Sequence, residues 1–328
     1  MSSKRPMKGR DLLTWRDYTR EEILKLLDTA IELKNKLQKG EPHELLKGKN
    51  LAMLFEWEST RTRTSFEVGM EQLGGHAIYY PPNASWGKGK EPLKHKASVL
   101  SRYVDGIMYR AFNFSDQLEM AKWADVPVIN ANSEAGHPCQ ALSDFMVPYE
   151  RKRTLKRVRY VMMWAFCPYS KPLGVVNSTL EAGTKLGMDL VLAYPEGYDP
   201  NPEMMEYARE QAKKHGSTLT VIHDMEEAAE NADVIHVKGW APDIYATKGM
   251  EGKGTEAPHI KEPKKYKHWI VDDHIVSLAK KDVMVEHALP AAVGDEVTDK
   301  VLDGPNSVIY EEAENRLHTQ KAILSYLL

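Results

Sequence analysis

Anion-binding side chains are concentrated in one segment of the sequence, Ser59-Thr60-Arg61-Thr62-Arg63-Thr64-Ser65. The segment follows an apolar run and opens a stretch with helical periodicity. Its backbone N–H groups should therefore lie at a helix N-terminus, where an anion is stabilised. Hydroxyls and two guanidiniums in one turn add charge-assisted donors with a forked geometry. This composition favours a phosphate site over the alternative, a capped helix start whose arginines are solvated.

A second polar group, His137-Pro138-Cys139-Gln140, follows the apolar run VPVINAN. A histidine and a glutamine at such a turn can donate to a carbonyl oxygen as it becomes an oxyanion. A structural histidine at a helix start is the alternative, and the motif taken alone favours that alternative. Cys139 is not predicted to be a nucleophile, because nothing in the sequence marks a base partner for it.

Three further positions could add to such a site. Arg110 ends the apolar run GIMYR, and His287-Ala288-Leu289-Pro290 follows another apolar run. In an open α/β sheet, ligands bind beyond the carboxyl ends of the strands. Arg316 lies in the last amphipathic segment, where a solvated helix face is the usual interpretation, and a surface position is likewise the alternative for Arg110.

The elements that must position these residues alternate along the chain. Residues 19–39 have the capping-box pattern of a helix start, Thr19 with Glu22, and an apolar stripe. Short apolar runs, among them KNLAMLFEW, HWIVDD and DVMVEHALP, predict strands between such helices. The pattern predicts an α/β fold with parallel sheets. It resets after a helix at about 138–150, which places a domain boundary near residue 150, whereas residues 243–265 form a long loop.

Composition limits the class of protein. The 328 residues are 42% hydrophobic and 28% charged, with a net charge of −3, so no strong overall field is available to bind nucleic acid or an anionic membrane. The two cysteines favour a reducing compartment. The N-terminal segment lacks the apolar region of a signal peptide, and no apolar run reaches the ~20 residues that span a bilayer. A cytoplasmic location is expected.

Taken together, the motifs resemble the aspartate/ornithine carbamoyltransferase family. Ser-Thr-Arg-Thr-Arg at 59–63, Tyr109-Arg110, HPCQ at 137–140, HALP at 287–290 and Glu314-Asn315-Arg316 occur in one order over nearly the whole chain. The resemblance implies two doubly wound parallel-sheet domains. Residues 1–150 with the C-terminal helix 311–328 would bind carbamoyl phosphate, and residues 151–310 would bind the amino acceptor.

The resemblance also implies a reaction, in which the carbamoyl group moves from carbamoyl phosphate to an amine without a metal or another cofactor. Arg110, His137 and Gln140 would be catalytic, holding the carbamoyl group and polarising its carbonyl. The residues implied to contact carbamoyl phosphate are Ser59, Thr60, Arg61, Thr62, Trp86, Arg110, His137, Pro138, Cys139, Gln140, Ala288, Leu289 and Arg316. Family members are trimers, and the loop 85–91 is similar to the one that carries Trp86 into a neighbouring subunit's site.

Departures from the family pattern concern the acceptor. Ornithine enzymes usually carry HCLP and a Ser-Met-Gly loop, whereas this chain has HALP and the segment DVIHVKGW at 233–240. That segment, the loop 164–178 and Trp86 are similar to the N-acetylornithine and N-succinylornithine branch, in which the second domain is knotted. The resemblance therefore predicts a knot in the second domain of this chain too. The residues implied to contact the acceptor are Glu134, Asp233, Lys238 and Leu289, with Lys238 pairing with a carboxylate.

The sequence leaves several acceptor molecules possible. The cations that follow HCLP in the acylated-ornithine branch are missing here, where residues 291–296 read AAVGDE. Asp295 and Glu296 would then meet a second amine, as in ornithine or another diamine or diamino acid, or would be solvated. Ala288 in place of the usual cysteine is compatible with a paralogue that binds without catalysis. A Rossmann oxidoreductase is disfavoured because no GxGxxG occurs.

Overall fold

The computed structural model describes residues 7–82, 84, 91–169, 171–242 and 257–328. The chain divides into two compact units, Met1–Leu142 with Glu314–Leu328 (unit 1) and Ser143–Ala313 (unit 2). Both divisions fall inside helices, Pro138–Lys152 and Ile309–Leu327. The boundaries expected from the sequence, near residues 150 and 310, lie within the same two helices.

Unit 1 is a parallel four-stranded sheet in the order β2-β1-β3-β4. Its elements are α1 (Arg20–Gln38), β1 (Asn50–Phe55), α2 (Thr60–Gln72), β2 (His76–Tyr80), α3 (Leu93–Leu100), β3 (Gly106–Arg110), α4 (Phe114–Trp123) and β4 (Val128–Asn132), followed by the start of α5 (Pro138–Lys152). A 3-10 turn at Trp15–Asp17 precedes them. The predicted capping box is present at Thr19, and the predicted apolar stripe of α1 is buried.

Unit 2 is a parallel five-stranded sheet in the order β7-β6-β5-β8-β9. Its elements are β5 (Arg159–Met163), α6 (Gly174–Leu186), β6 (Asp189–Ala193), α7 (Pro202–His215), β7 (Leu219–Ile222), α8 (Met225–Ala229), β8 (Val234–Val237), α9 (Pro258–Lys261), α10 (Pro263–Tyr266), α11 (Asp273–Leu278), β9 (Met284–Glu286), α12 (Asp299–Leu302) and the start of α13 (Ile309–Leu327). Near-continuous apolar strands fit a sheet covered on both faces.

Two sequence predictions were wrong in this unit. HWIVDD at 268–273 is not a strand, because its one ladder contact is the isolated bridge between Val271 and Val297. The side chain of Asp272 instead accepts from the N–H of Ile275 at 3.0 Å and starts α11. The described end of the predicted loop 243–265 contains the short helices α9 and α10, each of which begins at a proline.

The carboxyl ends of the parallel strands carry the polar motifs of each unit. In unit 1, β1 leads into Ser59, and Arg110 ends β3. In unit 2, β8 leads into Lys238 and β9 into His287. Among the residues described, no helix is long and apolar enough to cross a membrane. Residues 243–256, part of the loop on which the knot prediction depends, lie outside the described ranges, and the knot stays a prediction.

Candidate active site

The phosphate-type motif of unit 1 forms the N-terminus of α2. Ser59 is the N-cap, and its hydroxyl accepts from the N–H of Thr62 at 3.4 Å. The two arginines of the segment differ in their contacts. Arg63 pairs with Glu67 at 3.2 Å and stacks on the ring of Tyr79, 3.9 Å from its centroid. The positive charge of Arg61, by contrast, acts on Arg110 and adds to the lowering of its pKa. The contact of Arg61 with a phosphate stays a prediction.

Arg110 brings a second guanidinium to the start of α2. Its Nη1 lies 3.5 Å from the hydroxyl of Thr62 and 3.3 Å from the carbonyl oxygen of Ala131, while its buried Nε has no hydrogen-bond partner among the described residues. Burial, followed by the positive charges of Arg316 and Arg61, lowers the pKa of Arg110 to about 9. The charges of three guanidiniums near a helix N-terminus favour an anion there.

Arg316 brings the third guanidinium from α13. Its Nη1 donates to Oε1 of Gln140 at 2.5 Å, and its Nη2 lies 3.4 Å from the hydroxyl of Thr62. With the amide of Gln320 oriented to satisfy its neighbours, its oxygen accepts from Nη2 at 2.9 Å and from Nε at 3.2 Å. The buried hydroxyl of Thr62 thus lies between Arg110 and Arg316, and Gln140 is brought to the same group.

The HPCQ motif begins α5. The carbonyl oxygen of His137 accepts from the N–H groups of Gln140 and Ala141, and that of Pro138 accepts from Nε1 of Trp15 at 3.2 Å. The thiol of Cys139 lies 3.5 Å from the carbonyl oxygen of Asn130 in β4, and burial raises its pKa to about 12. Such a thiol is a poor nucleophile, in agreement with the sequence interpretation.

Glu134 follows β4 in the same unit. Its carboxylate accepts from the N–H of Phe114 at 2.7 Å, at the start of α4, and burial raises its pKa. The carboxylate already stabilises a helix N-terminus, so its predicted contact with the acceptor stays a prediction. Trp86 lies outside the described residues.

In unit 2, Lys238 lies directly after β8 and is buried. Its ammonium donates to the carbonyl oxygen of Gly239 at 2.8 Å. Burial and the positive charge of Lys171 lower the pKa of Lys238 to about 7, against the attraction of Glu296. Lys171 itself donates to both carboxylate oxygens of Glu296, at 2.6 and 2.7 Å. The expectation that Glu296 is solvated or meets a second substrate amine is therefore wrong: the carboxylate is buried against this chain's own lysine.

The HALP motif follows β9 beside this group. Nδ1 of His287 accepts from the N–H of Leu289 at 2.9 Å, so the neutral ring carries its proton on Nε2, 3.3 Å from Glu296. Burial lowers the pKa of His287 to about 4. Leu289 has a φ of +37°, and the Leu289–Pro290 peptide bond is cis. Ala288 and Leu289 remain partly exposed.

Asp233 does not lie with Lys238, Glu296 and His287. It precedes β8, at the amino end of the sheet, where its carboxylate accepts from the N–H of Arg159 and pairs with Lys152 and Lys280, each at 2.8 Å. Burial raises its pKa, but the bonds from the two lysines outweigh burial and lower it. The predicted contact of Asp233 with the acceptor is wrong, since ligands bind beyond the opposite ends of the strands.

Two family models match the chain. One is described as the aspartate/ornithine carbamoyltransferase carbamoyl-P binding domain and covers residues 10–150. The other is described as the Asp/Orn binding domain of the same family and covers residues 172–327. The chain belongs to the aspartate/ornithine carbamoyltransferase family. The resemblance drawn from five ordered motifs is thereby confirmed, and so is its prediction that the chain is a carbamoyltransferase enzyme.

Curated relatives match this carbamoyltransferase along almost its whole length. It is 47% identical to the ornithine carbamoyltransferase of Halalkalibacterium halodurans over 325 residues, which cover 98% of this chain and 96% of that protein. It is 46% identical to the ornithine carbamoyltransferase of Pyrococcus abyssi over 322 residues, again 98% of this chain and 96% of that protein.

Solved structures confirm the predicted fold of two parallel-sheet α/β domains. The ornithine carbamoyltransferase of Pyrococcus furiosus is 44% identical, with a TM-score of 0.89 and 98% of each chain covered. An acetylornithine transcarbamylase complexed with acetylcitrulline is 34% identical, with a TM-score of 0.88, covering 97% of this carbamoyltransferase and 99% of that chain. Both acceptor branches considered from the sequence are thus represented among the similar structures.

One buried group of this carbamoyltransferase has the residue types of a metal site. Asp144, His236 and Glu312 offer ligand atoms within 4.8 Å of one another. The hydroxyl of Tyr160 lies 2.7 Å from Nδ1 of His236 and donates to Glu286 at 2.7 Å. Burial raises the pKa of Glu286 to about 8 and raises that of Glu312 as well, which favours the neutral form of these carboxyl groups.

Sequence reasoning about this carbamoyltransferase missed two partners of the predicted site residues. Gln320 holds Arg316, and the spacing of four residues, one helical turn, was the available signal. Lys171 pairs with Glu296 across 125 positions of sequence, and no local pattern marks that pair.

Proposed function

We propose that this carbamoyltransferase transfers the carbamoyl group of carbamoyl phosphate to the side-chain amine of ornithine and releases phosphate. The convergence of Arg110 and Arg316 on the hydroxyl of Thr62, at the N-terminus of α2, is the observation that carries the donor side of the proposal. The acceptor follows from the relatives, which are named ornithine carbamoyltransferases at 42–47% identity.

The phosphate of carbamoyl phosphate binds at the start of α2 in this proposal. Backbone N–H groups and the hydroxyls of Ser59, Thr60 and Thr62 surround it, and Arg61 and Arg316 balance its charge. Arg110 then reaches the bridging and carbonyl oxygens. Burial lowers the pKa of Arg110, and repulsion by the other guanidiniums lowers it further; that repulsion is relieved when the dianion enters.

The chemical step needs a donor at the carbamoyl oxygen and an uncharged amine. The amine nitrogen attacks the carbamoyl carbon and forms a C–N bond, while the carbonyl oxygen becomes an oxyanion. Arg110, His137 and Gln140 stabilise this oxyanion, which is the largest single contribution in acyl-transfer sites of this kind. The C–O bond to phosphate then breaks, and the proton lost by the amine passes to the departing phosphate.

The acceptor carboxylate pairs with the ammonium of Lys238, and the backbone of Leu289 lies beside both substrates. A second candidate acceptor, an N-acylated ornithine, is favoured by one observation. The carboxylate of Glu296 is already paired with Lys171. It is therefore not available to pair with the α-ammonium of a substrate. An acyl group that masks that ammonium removes the need for such a partner.

We also propose the assembly that the family resemblance implies and the compartment that the composition implies. Three copies of the 37.2 kDa chain form a homotrimer in which Trp86 of one subunit completes a neighbour's site, and the enzyme is cytoplasmic. Light scattering of the purified protein tests the assembly. A mass of one chain would contradict the trimer.

The proposed reaction is tested with carbamoyl phosphate and a panel of amines. Phosphate release and ureido product are measured with ornithine, N-acetylornithine, N-succinylornithine, putrescine and lysine, using Arg316→Met as the inactive control. Ornithine-dependent phosphate release supports the proposal. Release with only an acylated ornithine would show that the acceptor is the second candidate, an N-acylated ornithine. No release above spontaneous breakdown with any amine would overturn both.

A further inference from the structure

One buried carboxylate, Glu296, receives hydrogen bonds from four residues of unit 2. Its Oε1 accepts from the N–H of Gly239 at 3.0 Å, and its Oε2 accepts from the N–H of Ala292 at 2.8 Å. Lys171 donates to both oxygens, and Nε2 of His287 lies 3.3 Å from Oε2. The side chain has no exposed surface. Each oxygen therefore has at least two donors, and the carboxylate is fully hydrogen-bonded.

The donors come from segments that follow three neighbouring strands. Lys171 lies after β5, Gly239 after β8, and His287 and Ala292 after β9, and these strands are adjacent in the order β5-β8-β9. Since ligands bind beyond the carboxyl ends of parallel strands, Glu296 ties together the loops that surround the acceptor end of this sheet.

The fit around Gly239 leaves little freedom. A Cβ at this position would lie 2.7 Å from Cβ of Cys167, 2.9 Å from the carbonyl oxygen of Ala165 and 3.0 Å from Oε1 of Glu296. The backbone that carries Lys238 thus approaches both Glu296 and the segment after β5 as closely as glycine permits. A change in Glu296 must therefore be transmitted to Lys238.

The charges of the group are unequal. Lys171 matches the negative charge of Glu296 in a buried pair, whereas the ammonium of Lys238 donates to a backbone carbonyl oxygen. Within this described group, two lysines face one carboxylate. Below its pKa of about 7, Lys238 carries the excess positive charge, at the position where the proposed function places an acceptor carboxylate.

We propose that Glu296 is the positioning residue of the acceptor site: it aligns the segments of Lys238 and His287, and Lys171 is its counterion. The inference rests on the proposed function. Stability alone does not explain the pair, because a buried ion pair seldom stabilises a fold more than apolar residues of similar volume. The arrangement of four donors around one carboxylate matches the second layer of contacts that a precise binding site requires.

The test compares Glu296→Gln, Lys171→Met and the double variant with Asp303→Asn, which removes an exposed carboxylate of the same unit. KM for the acceptor, KM for carbamoyl phosphate, kcat and Tm are measured for each. Glutamine keeps the size of the side chain but replaces one acceptor oxygen by a donor. We expect Glu296→Gln to raise the acceptor KM at least about tenfold. The KM for carbamoyl phosphate should stay within about twofold, since unit 1 carries its charged contacts and unit 2 offers it only backbone at Ala288 and Leu289.

The double variant separates positioning from simple charge balance. It restores electroneutrality but still leaves an N–H of Gly239 or Ala292 without its carboxylate oxygen, so we expect the acceptor KM to remain raised. An unchanged acceptor KM in folded Glu296→Gln overturns the inference. So does an equal rise in both KM values together with a lower Tm, which is the signature of general destabilisation. A wild-type enzyme inactive with every amine overturns the proposed function itself, and this inference with it.

Discussion

The guanidinium of Arg110 lies over the ring of Trp57, with its Cζ 4.4 Å from the ring centroid. None of the described carboxylates pairs with this arginine, and the ring of Phe112 stacks on Trp57 at 4.7 Å between centroids. An aromatic face holds a cation without cancelling its charge. Arg110 is thus fixed in direction and still available to a substrate anion.

Replacing Arg110 with methionine should separate activity from stability. We expect kcat/KM to fall by about 10²–10³, the usual cost of losing one oxyanion donor. Tm should stay equal or rise, because a buried cation repelled by Arg61 and Arg316 is removed. Arg110→Lys keeps the charge without the fork and should recover little activity. Steady-state rates and thermal melts measure both effects, and Arg102→Met, at an exposed position, is the control. A large loss of Tm in Arg110→Met would contradict the prediction.

Gln320 should act on carbamoyl phosphate through Arg316. Gln320→Leu removes the amide oxygen that accepts from two guanidinium nitrogens, so Arg316 gains freedom to turn away. We expect kcat/KM for carbamoyl phosphate to fall about tenfold, in line with one lost hydrogen bond to a charged group. The acceptor KM should not change. Ser325→Ala on the same helix is the matched control, and equal activity of Gln320→Leu and wild type would exclude this role.

Binding of the acceptor carboxylate should weaken as pH rises through neutrality. Burial and Lys171 lower the pKa of Lys238 to about 7, so its ammonium is present below that pH and lost above it. Norvaline, which lacks the reacting amine, isolates this contact. With carbamoyl phosphate bound, its affinity should fall about tenfold per unit above pH 7.

Calorimetry from pH 6 to 9 measures that affinity directly. Lys238→Met should bind norvaline weakly at every pH, whereas exposed Lys214→Met should follow the wild-type curve. A flat profile for the wild type would show that the ammonium of Lys238 makes no contact with the acceptor.

The thiol of Cys139 should be unreactive in the folded enzyme. Burial raises its pKa to about 12, so its thiolate is scarce at pH 8, and burial raises the pKa of Cys167 too. Iodoacetamide should label neither cysteine in the folded enzyme and both in guanidinium, as mass spectrometry can measure. Cys139→Ala should keep kcat within about tenfold, whereas loss of a true nucleophile costs far more. Rapid labelling of folded enzyme at Cys139 would contradict the assignment.

Most of the fold follows from apolar patterning, since a long helix such as α1 shows a clear helical repeat and a short continuous apolar run such as β5 is typical of a buried strand. The strand predicted at 268–273 failed because an apolar run has the same composition in a buried loop as in a strand. Its outcome depended on Asp272, whose side chain caps α11 and so ends extended structure there. Such a cap competes with a strand in a way that hydrophobicity alone does not reveal.

The helix start at Ser59 was predictable, because a single local motif carries the N-cap. The site was not predictable where function depends on a distant partner. The sequence around Glu296 suggests an exposed acidic side chain. Its burial is explained by the ion pair with Lys171. Asp233 was assigned to the acceptor from its segment, but a strand separates the two ends of the sheet, and the structure places Asp233 at the amino end.

Unit 1 is discontinuous, because its last helix returns after the whole of unit 2. Arg316 and Gln140, which bond to each other within unit 1, are 176 positions apart in the chain. At ordinary translation rates, the ribosome takes roughly 9–35 s to pass from one to the other. A nascent chain therefore lacks its third guanidinium until the whole of unit 2 has been translated, and the proposed carbamoyl phosphate site of unit 1 cannot be complete before then.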